Sequence, residues 1–294
     1  MSSITEGAFP YDNAFSRNLG WVTEAEQQKL RKAKVAVAGL GGVGGFHVTT
    51  LARFGIGAFS IADFDNFDVP NFNRQAGAMV STLGRPKAEV IGAMVKDINP
   101  SADLQVYPKG VDESNIDEFL KGATVYVDGL DFFAFKARQL AFAACHRLGI
   151  PAVTAAPLGM GTSVLVFLPG QMSFEEYFGF EGCNDTEKAL RFLLGLTPKR
   201  LHNSYLVEPD RINLQEKRGP STVAGCMLCA GVAATETVKL ILGRGEIRAA
   251  PWSYHVDAYT HHAAWSWRPM GYRNPLQRLG FKLGMAMLSQ SATK

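Results

Sequence analysis

The sequence is poor in the features that would set it apart from ordinary globular proteins. Its 294 residues contain four cysteines, too few and too scattered for a disulfide framework, which points to a reducing compartment. No window reaches the about 18 uncharged apolar residues that a spanning helix needs, so no transmembrane segment is expected. The opening "MSSITEGAFPYDNAFSRN" has no basic segment followed by an apolar one, and no secretory signal is expected there. Internal repeats and low-complexity runs are missing. The net charge of +3 supports a nucleic-acid partner only weakly and does not exclude an acidic protein. These absences predict a cytoplasmic protein. A hydrophobic content of 47% with 30 glycines allows a sizeable core and several tight turns.

What is present alternates. "TEAEQQKLRKA" offers a capping box, Thr23 with Glu26, and then a helix. "KVAVAGL" reads as a buried strand, and "GVGGFHVTTLARFG" as a turn and helix ended by Gly55. "GAFSIADFD" is a second strand with Asp63 and Asp65 at its carboxyl end. The helix "RPKAEVIGAMVKDIN", the strand "ADLQVYP", the acid-ended strand "ATVYVDGLD" and the helix "FKARQLAFAACHRLG" follow. "IPAVTAAPLG" and "TSVLVFLPG" are two more strands. After an irregular stretch with a short helix near "TEKALRFLLG", a buried helix "STVAGCMLCAGVAATETVKLILG" precedes a strand at "WSYHVDAY". The order predicts an α/β fold, a Rossmann-like, mostly parallel sheet flanked by helices. In such sheets ligands sit at the carboxyl ends of the strands. That places the glycine-rich turn, Asp63, Asp65 and Asp131 in one crevice.

Gly39-Leu40-Gly41-Gly42-Val43-Gly44 fits G-x-G-x-x-G, a turn that lets backbone N–H groups approach phosphates at a helix N-terminus. Asp63 follows about 20 residues on, where a carboxylate can hold ribose hydroxyls. A nicotinamide dehydrogenase fits equally well to this point. The next segment, "DFDNFDVPNFNRQ", and Lys87 after "STLGRP", are foreign to a dehydrogenase. They suit an enzyme that drives a carboxylate into the α-phosphate of ATP, because charge builds on the phosphoryl oxygens and fixed cations must face it. Arg74 and Lys87 qualify, with a magnesium ion held by a carboxylate such as Asp131.

The ordered set "SRN", "GLGGVGG", "ADFDNFDVPNFNRQ", "GRPKAEV", "INP" and "VDGLDFF" with Arg138, then the late helix, resembles the ThiF/MoeB family of the ubiquitin-activating-enzyme superfamily of adenylyltransferases. The resemblance runs from about Phe15 to Leu168 and resumes at "GPSTVAGCMLCAG". It implies a Rossmann-like adenylation domain, usually a homodimer. It implies that Gly39, Gly41, Gly42 and Gly44 line the phosphates and Asp63 holds the ribose. Asn71, Arg74 and Lys87 would contact the phosphate chain, and Asp131 would position magnesium. Arg17 matches an arginine that the family inserts into the partner subunit's site. Residues 1–168 would then be an N-terminal helix and the ATP-binding core, 169–220 a crossover facing the substrate, 221–270 the elements completing the domain, and 271–294 a basic and apolar tail.

The chain also departs from that family. Many relatives bind zinc through two C-x-x-C pairs; "FLPGQMSFEEYF" lacks the first, and Cys226 with Cys229 falls on the late helix. Structural zinc wants four N/S ligands, so no zinc is expected, and these two cysteines, like Cys145, read as core. His255, His261 and His262 read as ordinary histidines. Relatives that pass an activated carboxylate to sulfur often carry a cysteine just before the late helix, where this chain has "LQEKRGPS". Cys183 could serve as that thiol only if its loop folds back. Phe174, Tyr177, Phe178 and Phe180 could line a substrate groove or clamp the crossover to the sheet. The same absences describe the tRNA threonylcarbamoyladenosine dehydratase branch. The expected reaction is adenylation of the C-terminus of a ubiquitin-like or sulfur-carrier protein or peptide, with a tRNA-linked or small-molecule carboxylate as the alternative. A dehydrogenase or a non-catalytic scaffold is the remaining rival.

Overall fold

The computed structural model describes residues 9–213, 216 and 219–291. The chain runs α1 (Tyr11–Ala14), α2 (Glu24–Lys32), β1 (Lys34–Ala38), α3 (Gly44–Arg53), β2 (Ala58–Ala62), α4 (Lys87–Ile98) and β3 (Asp103–Tyr107). It continues through α5 (Ile116–Leu120), β4 (Val125–Asp128), α6 (Phe135–Leu148), β5 (Ala152–Leu158), β6 (Gly161–Phe167), α7 (Phe174–Phe178) and α8 (Asp185–Leu196). The last elements are α9 (Val223–Leu242), β7 (Trp252–Asp257), β8 (His262–Trp267) and α10 (Pro275–Ser291).

One eight-stranded sheet has the order β3-β2-β1-β4-β5-β6-β7-β8. The first five strands in that order pair in parallel, and the pairs β5–β6, β6–β7 and β7–β8 are antiparallel. The sheet is the Rossmann-like, mostly parallel one expected, with an antiparallel extension. Strand alternation divides β1 between two cores. Val35 and Val37 face the side covered by α3, α4 and α9, whereas Ala36 and Ala38 face the side covered by α5 to α8.

Local chemistry fixes the element ends. Thr23 Oγ1 accepts from Glu26 N while Glu26 Oε2 accepts from Thr23 N, completing the expected box. Gly243, at φ +63°, ends α9 in the left-handed region. Helix α9 is long and apolar enough to cross a bilayer by length and composition. It lies instead against β5, β6 and α3, with Cys226, Cys229, Ala230, Ala233 and Ala234 buried.

The crossover is more ordered than expected. It contains α7 as well as α8, each opened by a capping box, Ser173 with Glu176 and Asn184 with Glu187. Phe174, Tyr177, Phe178 and Phe180 are all buried and pack on Phe135, Phe142, Phe167 and Phe192. They clamp the crossover to the sheet, and Tyr177 and Phe178 also line a cavity between α7, α8 and α10. In the basic and apolar segment expected from 271, α10 packs on α8.

His47, on the inner face of α3, is buried, and neither ring nitrogen has a hydrogen-bond partner among the described residues. Burial alone lowers its pKa from 6.5 to about 4. The unfolded chain therefore binds this proton more readily than the folded protein. Stability held above pH 6.5 is lost as the pH falls toward 4. Between pH 7 and pH 5 the loss from this residue is roughly 2 kcal/mol. Urea unfolding at the two pH values should show a difference smaller by that amount in His47→Leu.

Candidate functional site

The crevice forms where β1, β2 and β4 end. The glycine turn leaves β1 and opens α3, and at Gly39 and Gly44 there is no space in it for a side chain. A Cβ on Gly44 would lie 1.8 Å from Gly39 O, and one on Gly39, at φ +82°, would lie 2.3 Å from Gly129 O. Gly129 belongs to the loop after β4, so that loop and the glycine turn touch backbone to backbone. The result is a row of backbone groups in a cradle that only glycine permits.

Asp63 leaves the end of β2 and braces the turn. Its Oδ2 accepts from Leu40 N at 2.6 Å and its Oδ1 from Asp65 N at 2.8 Å. Burial pushes its carboxyl up, against those two N–H donors and the charge of Lys87. Each oxygen retains a lone pair, which suits ribose hydroxyls.

Lys87 is the first residue of α4 and 6% exposed. Its Nζ meets Asp65 Oδ2 at 2.9 Å, and Asp65 itself is about half exposed. A cation at a helix N-terminus opposes the helix dipole. A buried one there is a cost to folding that the Asp65 ion pair offsets.

Asn71 caps its own turn, its Oδ1 accepting from Asp68 N at 3.0 Å. Arg74 is half-buried, and its Nη1 donates to Pro70 O and Asn73 Oδ1, both at 2.9 Å. Its Nε lies 3.8 Å from where a Gly42 Cβ would stand, so the guanidinium covers the turn. Gln75 is buried beside Gly41, and its Oε1 has no partner. Asn73 Nδ2 donates to Ser221 O at 3.1 Å, tying the motif to the start of α9. Cys226 Sγ lies 3.5 Å from the Gly42 Cβ position. The glycine turn is therefore packed from below by the late helix.

Asp131 is exposed on the loop after β4, and its Oδ1 accepts from Phe133 N at 2.9 Å. The loop is held by a buried network that the sequence reading left without a role. Arg138 Nε meets Asp128 Oδ2 at 2.8 Å, with both side chains 2% exposed. The same guanidinium donates to Leu130 O, Asp131 O and Phe132 O at 2.7, 3.0 and 3.1 Å and lies over the Phe192 ring. Thr154 Oγ1 donates to Asp128 Oδ2 at 2.8 Å. Asp128 closes the apolar run "VYVD", and that position was its only signal in the sequence.

Arg17 and Cys183 do not join this group. Arg17 is exposed in a short turn whose neighbour Asn18 donates to Phe54 O, at the far end of α3. Ten helical residues separate that end from the glycine turn, about 15 Å. Cys183 sits between α7 and α8, where burial pushes its thiol up. A nucleophilic thiol needs the opposite environment, so the structure supplies Cys183 with no activation. Of the stretch 214–221, lacking the cysteine of sulfur-transferring relatives, residues 214, 215, 217 and 218 lie outside the described residues. Cys145, Cys226 and Cys229 are buried and their thiols are pushed up. His255 is buried, while His261 and His262 are exposed.

Among the described residues no three His, Cys, Asp or Glu side chains gather to hold a metal unaided. The Asp131 carboxylate, with one oxygen unpartnered among the described residues and on the loop that touches the glycine turn, is a donor of the kind magnesium takes, usually one or two carboxylates together with substrate phosphates.

Comparison with known proteins agrees with this geometry. The family model described as the ThiF family matches residues 15–279. The tRNA threonylcarbamoyladenosine dehydratase of Bacillus subtilis is 32% identical over 142 residues, 48% of this chain and 55% of that protein. The sulfur carrier protein ThiS adenylyltransferase of Escherichia coli is 32% identical over 143 residues, 49% of this chain and 56% of that protein. The chain thus spans about half the length of these relatives. The crystal structure of E. coli MccB with ATP superposes with a TM-score of 0.66 at 21% identity, covering 90% of this chain and 73% of that one.

Proposed function

The chain belongs to the ThiF family, and from that membership we propose that it adenylates a substrate carboxylate with ATP. A carboxylate oxygen bonds to the α-phosphorus, the bond to the bridging oxygen breaks, and pyrophosphate leaves with its electrons. The product is an acyl adenylate. A carboxylate is already deprotonated at neutral pH, so no protein base is needed. The catalytic work falls to fixed charge.

The observation that carries this reading is the convergence of Arg74 and Lys87 on a turn where Gly39 and Gly44 leave no room for a Cβ. Backbone N–H groups of the turn would face the phosphates and Asp63 would take the ribose. Arg74, over Gly42, would face charge as it moves to the departing pyrophosphate, and Asn71 would add an amide. Lys87 would exchange or share Asp65 with a phosphate oxygen. Asp131 would hold magnesium, which supplies further positive charge to the phosphates. A dehydrogenase has no use for these cations, nor has a scaffold.

For the substrate we favour the C-terminal carboxylate of a ubiquitin-like or sulfur-carrier protein or peptide. A tRNA-linked carboxylate is the second reading, supported by the dehydratase relative. We further propose a homodimer. Arg17 is too far along α3 to serve its own site, and the exposed Trp21, Val223 and Met227 offer apolar surface for a second copy to bring its Arg17 across. The four free cysteines suit the cytoplasm. The experiment supplies purified protein with ATP and with host extract split into protein, RNA and small-molecule fractions, and measures pyrophosphate release. Release with the protein fraction supports the first reading, release with RNA the second, and release with none of the three contradicts adenylation.

A further inference from the structure

Helix α10 leaves a row of large apolar side chains uncovered. A terminal helix normally turns its large apolar side chains to its neighbour. Here Gln277, Phe281 and the glycines meet α8, and a second apolar row faces out. Gln277 Nε2 donates to Leu194 O at 3.3 Å, and a Cβ on Gly284 would come within 2.8 Å of Leu190. Leu276, Leu279 and Leu283 are 67%, 55% and 57% exposed, and Met287 is exposed too. At 100° per residue these four share one stripe.

A row of cations lies beside the stripe. After Asp257 the sequence contains no Asp or Glu, while Arg268, Arg273, Arg278 and Lys282 follow. Arg191, Arg273, Arg278 and Lys282 line a cavity of about 480 Å³ together with Tyr272 and Phe281, and no carboxylate lines it. The Arg191 guanidinium is held 4.9 Å from each of the two ring centroids. Glu176, an acid whose charge acts on Arg273, is bonded to Ser173 in the cap of α7.

From this arrangement we infer that α10 is a membrane-surface helix that docks the protein on an anionic bilayer. The stripe enters the acyl boundary and the cations meet lipid phosphates, the pairing by which interfacial helices bind. RNA would use the cations and leave the leucines in water. A second α10 would cover the leucines but bring like charges together. The inference is independent of the adenylation chemistry, since none of these residues lines the crevice.

The test is co-sedimentation of the full chain with vesicles of phosphatidylglycerol and phosphatidylethanolamine, and with vesicles of phosphatidylcholine alone. Binding to the first and not the second is expected. Leu279→Ser/Leu283→Ser and Arg278→Glu/Lys282→Glu should each weaken it by roughly tenfold or more. The urea-unfolding midpoint should be unchanged in both, which shows that the fold is intact. Three results would each overturn the inference: equal binding to both vesicle types, binding insensitive to the leucine pair, or a dimer in solution that Leu279→Ser/Leu283→Ser dissolves.

Discussion

Asp131→Asn is expected to slow ATP–pyrophosphate exchange by roughly a hundredfold to a thousandfold, the range seen when one fixed electrostatic contact to a transition state is removed. The substitution is chosen because Oδ1 of Asp131 already accepts from Phe133 N. Asparagine keeps an oxygen for that bond, so the loop after β4 holds its shape. What disappears is the negative charge available to magnesium. The loss should therefore come at unchanged thermal stability. Arg74→Ala should act through the other side of the crevice with a similar loss, because the guanidinium over Gly42 is then replaced by water. If Asp131→Asn turns over normally, the magnesium assignment is wrong.

Arg138→Leu is expected to cost about 3–5 kcal/mol of stability, measured by urea unfolding. Asp128 is 2% exposed and has Arg138 as its charged partner. Without the guanidinium a buried carboxylate is left with the Thr154 hydroxyl and nearby backbone N–H, and three carbonyls of the Asp131 loop lose their donor. Domains are stable by only about 5–15 kcal/mol, so this is a large share. Arg138→Lys keeps the charge but cannot fork to Asp128 and the loop carbonyls together, and should recover part of the loss. Asp128→Leu/Arg138→Leu should recover more, since removing both charges avoids the buried orphan. A loss under about 1 kcal/mol in Arg138→Leu would show that the network contributes little.

The parts of the fold legible in the sequence are those written in local chemistry. The capping box at Thr23, the glycine turn and Gly243 each need only neighbouring residues to be recognised. Helix α7 could have been found by the same means, because Ser173 and Glu176 have the box spacing. Strand β8 is an edge strand, "HHAAWSW", whose mostly exposed side chains give no clear alternation to read. Tertiary contacts were beyond reach. No spacing announces that Arg138 meets Asp128 across a turn, or that Cys226 supports Gly42 from a helix far along the chain. In α10 the sequence shows a basic and apolar segment, and only packing shows that Gly280 and Gly284 face α8 while the leucine stripe faces out.

The most direct test of the account is isotope exchange between labelled pyrophosphate and ATP, with the active fraction of host extract present. Adenylation predicts that label enters ATP only when that fraction is supplied, and that Asp131→Asn nearly abolishes it. No label in ATP with any fraction, from a folded protein that binds NAD, would contradict it.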